Sequence, residues 1–155
     1  KQKDIVQGVD ERVSKLEPQA VTVDGKEVKV DPEERRQYEE AVALMRKSDY
    51  AGASTALLAF TQRYPNSGYK ESALFWLGNA QYATRDYKEA ITNFRSLLTA
   101  APNHARAPEA MLSIANCQVE LKDTRAARAT LESLIKTYPQ SEAAQAGRER
   151  LAKLK

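Results

Sequence analysis

Apolar residues in the middle of this chain recur three and four positions apart. Leu74, Leu77, Gly78, Gln81 and Tyr82 form one such run, and Tyr87, Ala90, Ile91, Phe94 and Leu98 form the next. That is the period of an α-helix with one buried face. Thr84-Arg85-Asp86 separates the two runs and Ala101-Pro102-Asn103 ends the second. Proline lacks the N–H that would continue a helix and restricts the residue before it. The pattern predicts two helices joined by a tight turn and closed by a proline.

The same unit occurs three times with a step of 37 residues. The step relates Asp49, Asp86 and Asp123, then Pro65, Pro102 and Pro139. It also relates Leu57, Phe94 and Leu131, and Phe60, Leu97 and Leu134. Small residues at Ala41, Gly78 and Ala115, and at Ala53, Ala90 and Ala127, let paired helices approach closely. Leu77-Gly78, Tyr82, Tyr87, Ala90, Phe94 and Pro102 stand at the spacing of the tetratricopeptide repeat, which this chain resembles. Leu74 stands where the family carries an aromatic residue, with Trp76 displaced by two, and Glu40 stands where Leu77 and Ile114 stand in the later units. A terminal repeat has no neighbour to cover that face, so the departure is tolerable. The expected fold is all-α: a right-handed α-solenoid of three repeats, at about 34–70, 71–107 and 108–140, with a capping helix at 141–155. Arg148, Glu149, Arg150, Lys153 and Lys155 give that cap a polar outer face.

Two short segments precede the repeats, which occupy 32–155. In residues 1–17, Val6 and Val13 at a positions with Val9 and Leu16 at d positions read as a coiled-coil remnant that oligomerises. The other reading is a short amphipathic turn packed on its own domain. In the linker 18–31, Val21 and Val23 alternate with polar residues, as do Val28 and Val30. Asp24-Gly25 between them suits a two-residue type I′ turn, so a β-hairpin with Val21 facing Val28 is expected. An isolated hairpin is marginal in water, so it docks on the repeats, pairs with a symmetry mate, or serves as an ordered linker. Asp31-Pro32-Glu33-Glu34 then starts the first repeat helix, with Asp31 as N-cap and Glu34 completing a capping box.

Composition narrows the function classes. A net charge of +3 over 155 residues, with eight basic and four acidic residues in 121–155, is not the basic stripe of a nucleic-acid binder. No run approaches the ~20 apolar residues of a membrane span. One His and one Cys exclude a His/Cys metal cluster and an intrachain disulfide. Cys117 shares its repeat position with Ala43 and Ala80, a small inward slot, and reads as structural. His104 follows the turn proline and reads as an exposed loop residue. Of Glu33, Glu34, Glu39 and Glu40, the first two favour the helix N-terminus and the others need only be solvated. No catalytic constellation, cofactor loop or metal set is left, so a non-enzymatic protein is expected.

The first helix of each unit lines the concave side of such a stack. Its inner positions by register are Tyr38, Val42 and Met45, then Phe75, Asn79 and Tyr82, then Leu112, Asn116 and Val119. This apolar and aromatic row with two stacked amides suits a peptide. Some of the row can instead fill contacts between units, Phe75 and Leu112 above all. In chaperone-tail-binding members of the repeat family, Lys and Asn at these positions clamp a terminal carboxylate. Here Phe75 and Leu112 replace the cation, so that resemblance favours an internal or extended partner segment.

The order of parts resembles one family in particular. A heptad segment, the stretch Val21-Thr22-Val23-Asp24-Gly25-Lys26-Glu27-Val28 leading into Asp31-Pro32, and repeats with Tyr64-Pro65-Asn66-Ser67 and Tyr138-Pro139-Gln140-Ser141 turns are similar to the bacterial Tol–Pal-system tetratricopeptide proteins, the periplasmic cell division coordinators. The resemblance implies a periplasmic adaptor that trimerises through its N-terminal coiled coil and binds TolA through its repeats. It further implies that outer-membrane constriction is coordinated with septal peptidoglycan synthesis, with contacts to the peptidoglycan synthase machinery. A signal peptide and more of the coiled coil would precede Lys1. The alternative is another envelope repeat scaffold, such as an outer-membrane assembly lipoprotein component, which shares the Tyr-Pro-x-Ser turns.

Overall fold

A computed structural model describes residues 17–154. The proposed coiled-coil positions Val6, Val9, Val13 and Leu16 lie outside the described residues. Two antiparallel strands, β1 (Gln19–Val23) and β2 (Lys26–Val30), lead into seven helices. These are α1 (Pro32–Arg46), α2 (Tyr50–Arg63), α3 (Lys70–Ala83), α4 (Tyr87–Ala100), α5 (Ala107–Glu120), α6 (Thr124–Thr137) and α7 (Glu142–Lys153). Each helix packs on the next, and α1, α3, α5 and α7 also touch in series. The alternate helices α2, α4 and α6 approach one another less closely, so the stack curves with the odd-numbered helices inside. This is the tetratricopeptide α-solenoid expected from the 37-residue step, with α7 as its cap.

The core follows the same step. Leu57, Phe94 and Leu131 are at most 1% exposed, as are Phe60, Leu97 and Leu134. Gly78 lets α3 approach α4 at Phe94: a Cβ there would sit 2.6 Å from the ring. A second periodic contact is polar. Asn93 Nδ2 donates to Gln81 Oε1 at 2.6 Å, and one step later Thr130 Oγ1 donates to Gln118 Oε1 at 2.7 Å. Gln81 and Gln118 are buried, and these bonds across each helical pair satisfy them. The first unit has Leu44 and Ala56 at the corresponding positions and packs there with apolar contacts.

The turns inside the units repeat their backbone as well. Ser48, Arg85 and Lys122, spaced by the same step, all have positive φ (61°, 67° and 62°). In the second unit Arg85 N–H donates to Tyr82 O at 3.0 Å and Asp86 N–H to Gln81 O at 2.7 Å, and the other two units match. This is a Schellman ending, which ordinarily takes glycine at the left-handed position. The following Asp then starts the next helix: the Asp49 carboxylate accepts Gly52 N–H at 3.0 Å and the Asp123 carboxylate accepts Ala126 N–H at 3.2 Å. A non-glycine residue costs about 1–2 kcal/mol in that conformation. Arg85→Gly and Lys122→Gly are therefore expected each to stabilise the chain by about 0.5–1 kcal/mol, after the larger entropy of unfolded glycine is deducted. Thermal melts of the two variants and their double check this; unchanged or lowered melting temperatures would show that the long side chains contribute more than the strain.

Candidate functional site

The expected hairpin is present. Val21 pairs with Val28 and Val23 with Lys26. Asp24 and Gly25 have positive φ (49° and 81°), as a type I′ turn demands. Its root and tip both dock on the solenoid. Val30 is buried with Tyr38, Phe60 and Tyr69, and the Tyr38 and Tyr69 rings stack at 4.0 Å. Arg35 Nη1 donates to Gln19 Oε1 at 3.1 Å. At the tip, the Asp24 carboxylate accepts from Ser72 Oγ on α3 and from Arg106 Nε, just before α5, at 3.1 Å. His104 Nε2 lies 3.8 Å from the same carboxylate, while His104 Nδ1 accepts Arg106 N–H at 3.0 Å. His104 is thus half-buried against the hairpin tip, not the exposed loop residue its place after Pro102 suggests. The Arg106 guanidinium also lies over Phe75 and Trp76, 5.0 and 5.3 Å from the ring centroids.

This docking divides the predicted row of inner residues. Tyr38 and Phe75 are buried, Tyr38 in the core beneath the hairpin and Phe75 against Trp76 and Phe94. The row assigned them to a partner surface, but the hairpin covers Tyr38, and Trp76, Phe94 and Arg106 close in Phe75. Val42 and Met45 are half-buried on the first core, and Val42 borders a trough of about 540 Å³ between β1 and α1. Leu112 packs toward Leu134, Ala143 and Ala144 under the cap helix. Asn79 spends one amide hydrogen within α3, donating to Phe75 O at 2.9 Å.

The other three residues come together. Tyr82, Asn116 and Val119 border a cleft of about 310 Å³ between α3, α5 and α7. Tyr82 is half-buried, edge-on to Tyr87 at 5.4 Å, and burial pushes its hydroxyl pKa up. Val119 is 44% exposed, unusual for a large apolar residue in this fold. Arg150, Lys153 and Leu154 from the end of the chain complete the rim. Sequence register gives α7 only a capping role and so does not place the two cations at the groove. The signal was present: Lys153 stands one 37-residue step beyond Asn116 and two beyond Asn79.

A model of the YfiO family, described as an outer membrane lipoprotein, matches residues 30–155. The chain belongs to this family. Over 57 residues the chain is 40% identical to the cell division coordinator CpoB of Pseudomonas putida. That alignment spans 36% of this chain and 21% of CpoB, so the chain matches about a fifth of its curated relative. Solved structures agree on the fold. The tetratricopeptide domain of Arabidopsis OM64 superposes with a TM-score of 0.64 at 14% identity, covering 77% of this chain and 94% of that one. The TPR2B domain of yeast Sti1, in a complex with pHsp70, gives 0.66 at 18% identity, covering 78% and 94%. PcrH of Pseudomonas aeruginosa, in complex with the chaperone-binding region of PopD, gives 0.67 at 14% identity, covering 77% and 89%.

The remaining reactive groups of this YfiO-family chain are structural in their surroundings. Cys117 is fully buried, and burial pushes its thiol pKa up to about 12, away from the thiolate a nucleophile needs. Among the acidic residues of α1, Glu33 is drawn down to about 2, first by its hydrogen bonds from Arg36 and then by Gln37. Glu40 pairs with Arg36 at 2.6 Å and Glu39 with Arg35 at 2.9 Å. Glu34 is buried, accepting Asp31 N–H at 3.0 Å as the capping box predicts, and also Ser67 Oγ from the turn before α3. No group of three potential metal ligands, and no helix long and apolar enough to cross a membrane, occurs among the described residues.

Proposed function

We propose that this chain is the repeat part of a periplasmic, non-enzymatic adaptor of the Tol–Pal system, which binds TolA and helps coordinate outer-membrane constriction with septal peptidoglycan synthesis. The coarser statement, a tetratricopeptide protein-interaction module, rests on the fold itself. The observation that carries the finer one is the 40% identity with a cell division coordinator. The hairpin ahead of the repeats supports it: residues 19–29 lie outside the stretch matched by the outer membrane lipoprotein family, yet belong to the sequence pattern that resembles the coordinators. Self-association through Val6, Val9, Val13 and Leu16, with the trimer of the coordinator family, and contact with peptidoglycan synthase machinery belong to the same proposal.

The test is isothermal titration of the chain with the soluble periplasmic part of TolA, beside an unrelated helical control. Saturable binding is expected, weakened about tenfold or more by Tyr82→Ala, as for an aromatic anchor in a groove. Helical content and melting temperature of that variant should stay close to those of the parent. Absence of binding at high concentration would remove TolA as the partner. Equal losses of stability and affinity would place Tyr82 in the core instead.

A second reading has its own support. The match of the outer membrane lipoprotein family across residues 30–155 favours an envelope assembly scaffold anchored by a lipid. Mass spectrometry of the native N-terminus separates the two: a lipidated Cys upstream selects the second reading, and a free N-terminus followed by further heptads selects the first.

A further inference from the structure

The cleft beside Tyr82 carries more than aromatic surface. Its floor is the buried Ala115 and Leu131 with the half-buried Tyr82 and Asn116, and Val119 stands exposed at its edge. Its rim holds Arg150 and Lys153 of α7 against a single acid, Glu120. Neither cation has a carboxylate partner among the described residues. Arg150 is close enough to Tyr82 to oppose the upward shift of its hydroxyl pKa. The wall is held in place, because Arg128 Nη2 on α6 donates to the Leu154 carbonyl at 3.2 Å. Arg106, by contrast, is already engaged by Asp24.

An apolar floor with two unspent cations on one rim selects for a segment that presents an apolar side chain and a carboxylate together. We propose that this cleft binds an internal segment of a protein partner through a leucine-like side chain seated against Tyr82 and Val119 and an adjacent Asp or Glu paired with Arg150 and Lys153. Both cations are exposed at the rim, whereas Tyr82 and Asn116 are half-buried below it. A side chain reaching back from a segment that crosses the cleft meets the rim. A chain terminus entering the cleft would bring its carboxylate to the floor, where a hydroxyl and an amide stand. The inference rests on reading this groove as the partner site, and it adds the chemistry of the partner.

The test uses the full, isotope-labelled chain at low salt and three octapeptides of Ala, Ser and Gly carrying two leucines. The first is capped at both ends and holds one Glu; the second replaces it with Gln; the third holds the Gln but has a free C-terminal carboxylate. The capped Glu peptide is expected to shift the backbone amide signals of Asn116, Val119 and Arg150. Its Gln twin should bind about tenfold more weakly, and raised salt should narrow that gap. Arg150→Gln and Lys153→Gln should each weaken the Glu peptide about threefold and together about tenfold, leaving the Gln peptide unchanged. Equal affinities for the Glu and Gln peptides, no shifts, or shifts mapping elsewhere would overturn the proposal. Full recovery of affinity by the free terminus would overturn it too, by assigning the cleft to a chain end. None of these arms contains TolA. Failure of TolA with a positive Glu peptide therefore removes that partner and keeps the cleft chemistry, and the converse result removes the cleft chemistry alone.

Discussion

Phe94→Ala should remove about 3–5 kcal/mol of stability, a large part of what a chain of this size has. The ring is 0% exposed and packs edge-on to Phe75 at 6.2 Å. It also fills the space against Gly78 and shares a core with Ile91, Leu97 and Ile114. Truncation leaves a cavity in the middle unit, and both neighbouring units depend on the interfaces that this unit offers. The same contact can be tested from the other side. Gly78→Ala gains about 1 kcal/mol of helix propensity. The added methyl, however, meets three ring carbons within 2.9 Å, two of them at 2.6 and 2.7 Å. Overpacking costs about 1–3 kcal/mol, so a net loss is expected. Urea unfolding of each variant reads the effect. A loss below about 1 kcal/mol for Phe94→Ala, at unchanged slope, would mean that the stack repacks around the gap.

Removing the Asp24 carboxylate should have the next largest effect, and it should be local. Asp24→Ala leaves Ser72, 1% exposed, without the acceptor of its hydroxyl, and leaves Arg106 held only by ring faces and Glu109. It also places a methyl at a left-handed turn position. A lost partner for a buried hydroxyl costs about 1–3 kcal/mol, and the ion pair, its side chains 13% and 30% exposed, adds less than a fully buried one would. The hairpin should undock with a penalty of about 2–3 kcal/mol. Amide exchange in β1 and β2 should accelerate by one to two orders of magnitude, while α5 to α7 keep their protection. Asp24→Asn retains the turn and can turn its Oδ1 to Arg106 Nε and its amide N–H to the Ser72 hydroxyl, but loses the charge, so it should recover part of the loss. Equal exchange rates in Asp24→Ala and the parent would show that Val30 and the stacked Tyr38–Tyr69 pair hold the hairpin without its tip.

Much of this architecture was legible in the linear pattern because repeat folds are nearly one-dimensional. A side chain at one position meets the equivalent position of the adjacent unit, so the 37-residue step carried the helix pairs, Leu57, Phe94 and Leu131 in the core, and the small residue at Gly78. The hairpin was equally local: Asp24-Gly25 carries its turn, and the alternating valines carry its register. The buried pairs Gln81–Asn93 and Gln118–Thr130 obey the same step but are polar, and apolar periodicity does not report them.

The candidate surface was legible only in part. Register lists every inner position of the odd-numbered helices alike, yet Tyr38 lies under a hairpin that precedes it in the chain, and Phe75 is closed in by Trp76 and Phe94. His104 and Arg106 meet Asp24 across about eighty residues of chain, a separation no local signal reports. The sequence by itself determined the repeat, its helices, its core and the existence of the hairpin, since these depend on short-range periodicity and backbone preference. Only the tertiary structure decided where the hairpin docks, which inner residues stay open, and that Arg150 and Lys153 of the cap stand over Tyr82. Those outcomes depend on contacts between elements far apart in the chain, which spacing along it does not encode.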